Sequence, residues 1–341
     1  MIKPKKLSPG DTIATVSLSW GGPGTFPARY EAGKKQLEEE FGVKVIEAPN
    51  TMRPASWIAQ NPKARAEDLM WAFTNTEVKG IISTIGGEDS IRILPYLDLN
   101  IIRENAKVFM GYSDTTISVN ACLKAGIISY YGPAIMSGLA ENCGITPYTA
   151  ESVRRTLFSS ETIGELTASD DWTNEHLEWA EPENQNIKRK RFPTEGWKYW
   201  NETGIAEGRL VGGCVAVFDW LRGTDFWPSE TLDGAILFIE TSGAATTPAH
   251  LRGLIRSIAA TGDLFKLKGI LLGRPGEVNS SIFPLYEEAL INTVKEFDLN
   301  LPIITNMDFG HTDPLMVLPL GAKARIDSIN KTFSILESGV Q

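Results

Sequence analysis

Through the first half of the chain, short runs of β-branched and aliphatic residues alternate with longer amphipathic stretches. An apolar run too short for a helix, followed by a stretch of period 3.6, is the pattern of βα units on a parallel sheet. It predicts strands over residues 12–17, 44–47, 80–84 and 107–110, and helices over 29–40, 64–73 and 115–123. Gly86-Gly87 closes the third strand, and Asp89 or Ser90 is placed to cap the helix after it. The fourth strand runs into Gly111-Tyr112-Ser113-Asp114. Ligands of open α/β sheets bind beyond the carboxyl ends of the strands, so these two loops are expected to be neighbours on one functional edge.

From about residue 167 to 204 the texture changes: Trp172, Trp179, Trp197 and Trp200 stand among charged residues and prolines with no steady period. The segment reads as a linker or long loop, and its tryptophans argue for order and function rather than disorder. After it, GRLVGGCVAVFDWLRGT resumes packed structure and AILFIE is a strong strand. TTPAHLRGLIRSIAATG carries a threonine cap, a first-turn proline and an apolar stripe of helical spacing. KGILLG and ARIDSINKTFSILES supply further strands. A length of 341 residues suits two cores. The expected division is a nucleophile-bearing α/β domain over 1–166, the tryptophan-rich segment over 167–204, and a mixed α+β domain over 205–341.

Composition narrows the partners. Apolar residues make up 42% and charged residues 22%, as in a globular domain, and the formal net charge is -9. Basic residues are scattered except for the run Lys188, Arg189, Lys190 and Arg191, which reads as a solvated loop, so no nucleic-acid polymer is expected as partner. Cys122, Cys143 and Cys214 show no paired spacing, which suits a reducing compartment and argues against a metal cluster. No apolar run approaches the ~18 residues of a membrane span and the first residues lack the apolar core of a signal peptide, so a cytoplasmic protein without a membrane partner is expected.

Three residues could carry chemistry. Ser113 falls where a strand gives way to a helix, which exposes its hydroxyl and turns the Asp114 amide outward as an oxyanion donor; the competing reading is a plain helix cap. His311, in NMDFGHTDPLMVLPLG, follows a strand-like run inside a turn-forming cluster, whereas His250 lies in a helical pattern and His176 in the tryptophan-rich segment. Glu240 ends the apolar strand AILFIE and could orient an imidazole, cap the next helix or face water. A Gly87 amide could supply a second oxyanion donor. SWGGPGTF does not read GxGxxG and Pro23 removes an amide donor, so dinucleotide binding is discounted.

Taken in order, STIGGEDS, MGYSDTT, GRLVGGC, FIETSG and FGHTDPLMVLPLG resemble the LD-carboxypeptidase family of serine peptidases across nearly the whole chain. The resemblance implies a flavodoxin-like N-terminal domain carrying the serine and a smaller C-terminal domain carrying the glutamate and histidine. It assigns Ser113 as nucleophile, Glu240 and His311 as its triad partners, and the Gly87 and Asp114 amides as the oxyanion hole. No cofactor is implied, and a homodimer is. The family has a branch that removes D-alanine from murein tetrapeptide and a branch, similar to microcin C immunity proteins, that cleaves an aminoacyl–nucleotide amide. The HTDP turn and the tryptophan-rich insert look more like the second, with Trp179 as a surface on which a base could stack. The rival outside enzymology is a two-lobed protein that binds a small ligand without consuming it.

Overall fold

The protein is represented by a computed structural model, which describes residues 1–243 and 246–341. Its first sheet has six strands in the order Lys44–Glu47, Thr12–Val16, Val78–Ser83, Val108–Gly111, Ser129–Tyr131 and Leu318–Leu320. The first five are parallel. Numbered along the chain they run 2-1-3-4-5, the order of a flavodoxin-like domain. Helices cover both faces, which is why Ile13, Val16, Ile81, Ile82 and Phe109 are all buried and the strands read as continuous apolar runs. The helices Pro27–Phe41 and Pro62–Thr74 start on proline, and the first ends at Gly42 in the left-handed conformation.

The second sheet has eight strands. Its centre is the parallel set Ile205–Cys214, Ile236–Glu240, Gly269–Gly273 and Ile303–Met307. Antiparallel strands flank it: Lys323–Asp327, Thr332–Ile335 and Gly164–Leu166 on one side, Lys198–Trp200 on the other. The expected fold class, a flavodoxin-like domain followed by a mixed domain, is the one observed. Several strands escaped the pattern, Ser129–Tyr131 and Gly164–Leu166 among them, and two more show why. Lys198–Trp200, read as irregular, is an edge strand whose Trp200 indole donates to Thr305 Oγ1 at 3.0 Å. Leu318–Leu320 crosses back to the first sheet and lies antiparallel to Ser129–Tyr131; its central Pro319 hid it, and such a proline is tolerated at a sheet edge. No described helix is long and apolar enough to cross a membrane.

One close approach between the two sheets' elements is made at a glycine pair. Gly212 and Gly213 have φ of +154° and +151°, and a Cβ on Gly213 would fall 2.4 Å from Thr116 Cγ2. The helix Thr116–Lys124 therefore packs directly on strand backbone. Thr116 Oγ1 accepts the Cys214 N–H at 3.0 Å, and Asn120 Nδ2 donates to the Gly212 carbonyl at 3.1 Å. Cys214 lies in register with Glu240, so the helix behind Ser113 is keyed to the strand that carries Glu240.

Candidate active site

Val108–Gly111 ends in extended Tyr112, and the chain then turns through Ser113 at φ +60° into the helix that follows. A β-carbon in this left-handed region is strained, and such strain presents a side chain at a sharp strand-to-helix turn. Ser113 Oγ lies 2.9 Å from His311 Nε2, and His311 Nδ1 lies 2.8 Å from Glu240 Oε2. Glu240 is fully buried and the His311 side chain is 11% exposed. The Tyr131 hydroxyl donates to Glu240 Oε1 at 2.5 Å and accepts the Ser113 N–H at 3.1 Å. Hydroxyl, imidazole, carboxylate and phenol thus form a run of hydrogen bonds that closes on the Ser113 backbone amide.

The glycines around these residues are where a side chain would intrude. A Cβ on Gly86 would sit 2.8 Å from both Ser113 Cβ and Oγ, and one on Gly276 would meet His311 Cβ at 2.1 Å. Gly87 has φ +149°, and a Cβ there would fall 2.3 Å from Ser19 Oγ. The Gly86-Gly87 loop and the Ser113 turn are tied by the Asp114 carboxylate, which accepts the N–H groups of Asp89 and Ser90 at 2.9 and 2.8 Å. This corrects the expected local cap. Neither Asp89 nor Ser90 caps the short helix Ser90–Tyr96 with its own side chain; the carboxylate arrives from Asp114, and Asp89 instead pairs with Arg65 and Arg92 at 3.1 Å.

Burial works against a charged imidazolium, but the Glu240 carboxylate outweighs it, with Glu277 and Asp313 adding to the effect, and His311 holds its proton to higher pH than an ordinary histidine. Ahead of His311 the loop is anchored by a buried ion pair, Asp308 with Arg274 at 2.8 Å. Asp308 also accepts the Ser169 N–H and hydroxyl at 3.1 and 2.7 Å and the Trp197 indole at 2.8 Å. These partners, like Tyr131, were missed in the sequence. The one available signal was Arg274 at the end of a buried strand, a charge that must find a partner.

A cavity of about 270 Å³ opens over Ser113 and His311. Its walls include Gly86, Gly87, Trp179, Arg29 and Glu277. Trp179 is half-buried there, with the Arg29 guanidinium 5.1 Å from its ring centroid and Phe26 edge-on at 6.0 Å. The other tryptophans of the segment serve packing: Trp172 lies against Phe192 and Phe283, and Trp197 and Trp200 donate to the second sheet's side chains. His176 also lines the cavity but is exposed, and His250 sits in an exposed capping box with Thr247 on the helix Pro248–Ala260. The basic run is not simply solvated, because Arg189 bonds Glu141 and Asp313 and Arg191 bonds Asp171. Among the described residues no group of three His, Cys, Asp or Glu is placed to hold a metal, and the three cysteines are unpaired.

A serine hydroxyl in hydrogen-bond contact with an imidazole that is itself bonded to a carboxylate is an arrangement found in hydrolases that attack an acyl carbon. Residues 13–132 match the LD-carboxypeptidase N-terminal domain and residues 207–326 the LD-carboxypeptidase C-terminal domain. The chain belongs to the LD-carboxypeptidase family of peptidases and is an enzyme of that class. It is 30% identical to the Microcin C7 self-immunity protein MccF of Escherichia coli over 333 residues, covering 97% of this chain and 94% of that protein. A structure of MccF in complex with aspartyl sulfamoyl adenosine superposes with a TM-score of 0.87 at 29% identity over the full length of both chains. An MccF-like protein from Streptococcus pneumoniae in complex with AMP gives 0.86 at 26% identity, over 96% of this chain and 98% of that one.

Proposed function

We propose that this chain hydrolyses the amide of an aminoacyl–nucleotide conjugate through Ser113, His311 and Glu240. The observation that carries the reading is the unbroken run of contacts from Ser113 Oγ through His311 to buried Glu240, at 2.9 and 2.8 Å, opening on a cavity. His311 Nε2 takes the Ser113 proton as Oγ bonds to the scissile carbonyl carbon. Glu240 orients the imidazole and stabilises its charged form. The carbonyl oxygen becomes an oxyanion facing the Gly87 and Asp114 amides, whose two loops are tied by the Asp114 carboxylate accepting the Asp89 and Ser90 N–H groups. As the intermediate collapses, His311 returns the proton to the leaving nitrogen; the acyl-enzyme is then hydrolysed by water that His311 deprotonates.

Trp179 supports the choice of substrate, since an indole in the cavity wall offers a face to a nucleobase, and the relative of known structure binds an aminoacyl sulfamoyl adenosine. Within this reading the working units are 1–166, 167–204 and 205–341, in a cytoplasmic homodimer. Mass spectrometry of wild type and Ser113→Ala, incubated with aspartyl sulfamoyl adenosine and with murein tetrapeptide, tests it. Cleavage of the nucleotide conjugate by wild type alone is expected. Loss of D-alanine from the tetrapeptide instead would move the enzyme to the cell-wall branch, and binding without turnover of either would favour the two-lobed binding protein.

A further inference from the structure

Among the described residues, the buried Arg65 and Arg274 and the largely buried Arg189 are matched to carboxylates, and Arg29 is not. Arg65 meets Asp89 at 3.1 Å, Arg274 meets Asp308 at 2.8 Å, and Arg189 is held by Glu141 and Asp313. Arg29 is 8% exposed, yet among the described residues no carboxylate lies within ion-pairing distance of it. Its bonds go to neutral oxygens: Nε donates to the Met136 carbonyl at 3.0 Å, and Nη1 to Asn142 Oδ1 at 2.7 Å and Gln185 Oε1 at 2.6 Å. Three such bonds and the Trp179 ring lock the guanidinium in place, and Nη2 keeps its donors free of them. The nearby carboxylates, Glu141 and Asp313, are already bonded by Arg189. Burial first, then the neighbouring Arg189 charge, lowers the Arg29 pKa to about 10, so the side chain stays charged at neutral pH.

A fixed cation taken out of water without a directly bonded counter-ion is costly, and such a cost is tolerated where a ligand supplies the bonded anion. Arg29 lines the same cavity as Ser113, His311 and Trp179. We propose that Arg29 is the anion-binding residue of the leaving-group subsite, receiving a phosphate-, sulfamate- or carboxylate-type group while the aromatic part of a nucleotide-like leaving group rests on Trp179. The assignment of this anion to the leaving group rests on the amide-hydrolase reading above. The Arg29–Trp179 contact then has a double use: it sets the angle of the indole and couples recognition of the ring to recognition of the charge. Anchorage by neutral oxygens rather than by a directly bonded carboxylate leaves the Nη2 donors for substrate.

Calorimetric binding of AMP, adenosine and an N-acetylated peptide ending in D-alanine to wild type, Arg29→Gln and Arg29→Lys tests this without any need for turnover. Wild type is expected to bind AMP at least tenfold more tightly than adenosine, Arg29→Gln to bind the two alike, and Arg29→Lys to keep part of the preference. If the peptide carboxylate in place of AMP shows the Arg29-dependent gain, the anion subsite stands and its source is a peptide. Equal affinities for AMP, adenosine and the peptide in wild type, or a preference that survives in Arg29→Gln, would overturn it. Should Arg29→Gln unfold, Arg29→Lys decides: it retains charge but loses the guanidinium fork, and an unaltered AMP-to-adenosine ratio together with absence of any wild-type response to added sulfate as competitor would count against the site. Labelling of Ser113 by a fluorophosphonate in the same samples reports the hydrolase reading separately, so either claim can fail alone.

Discussion

Tyr131 touches both ends of the proposed catalytic chain, donating to Glu240 and accepting from the Ser113 amide. Burial, and secondarily the Glu240 charge, keep its phenol pKa well above the ordinary value, so it remains a donor at any working pH. Hydrogen bonds to buried charged groups are worth roughly 1.5–3 kcal/mol. Tyr131→Phe should therefore lower kcat by about ten- to a hundredfold at nearly constant KM, since a tenfold rate change corresponds to about 1.4 kcal/mol. Glu240, relieved of one donor, would hold the imidazolium harder, so the acid limb of the pH–rate profile should also move upward; an unchanged limb would make Tyr131 a packing residue only. In wild type the base must be neutral to act. Because His311 is raised above the usual imidazole value of about 6.5, activity should fall as pH drops through a point above 6.5, and a limb below that value would contradict the Glu240 pairing.

The turns show how much of the site could be read along the chain. Gly86-Gly87 and Ser113 were legible because each ends a short apolar strand, and parallel topology brings the ends of neighbouring strands to one edge. Asp114 was legible only as an amide. Its carboxylate caps a segment 24 and 25 residues away, a pairing that depends on strand order and leaves no local signature. Gly87→Ala would force a β-carbon into Ser19 at φ +149° and tilt the proposed oxyanion amide; loss of one such donor costs about 10²–10³ in kcat. Steady-state kinetics with circular dichroism would separate that loss from unfolding. Asp308→Asn leaves Arg274 buried beside a neutral partner, and breaking a buried pair costs about 3–5 kcal/mol. Its denaturant midpoint should fall accordingly; a midpoint equal to wild type would mean the His311 loop is anchored elsewhere.

Tyr131 belongs to the six-stranded sheet and Ser113 to the turn after one of its strands, Glu240 belongs to the eight-stranded sheet and His311 to the loop after one of its strands, and neither sheet carries a complete set. A contact that joins them, Gly212-Gly213 against Thr116, lies in a stretch that the sequence showed only as packed structure, and nothing in it said what the glycines approached. Strands of one sheet also come from both ends of the chain: Leu318–Leu320 completes the first sheet and Gly164–Leu166 extends the second. Such exchanges are set by long-range pairing and do not alter local pattern, so the order of elements was readable and their lateral neighbours were not. In the proposed mechanism Ser113 is made nucleophilic across this interface. Peptide mapping after treatment with a fluorophosphonate tests it most directly. A single adduct on Ser113 in wild type, reduced to background in His311→Ala, is the expected result; no adduct, an adduct on another residue, or undiminished labelling in His311→Ala would contradict it.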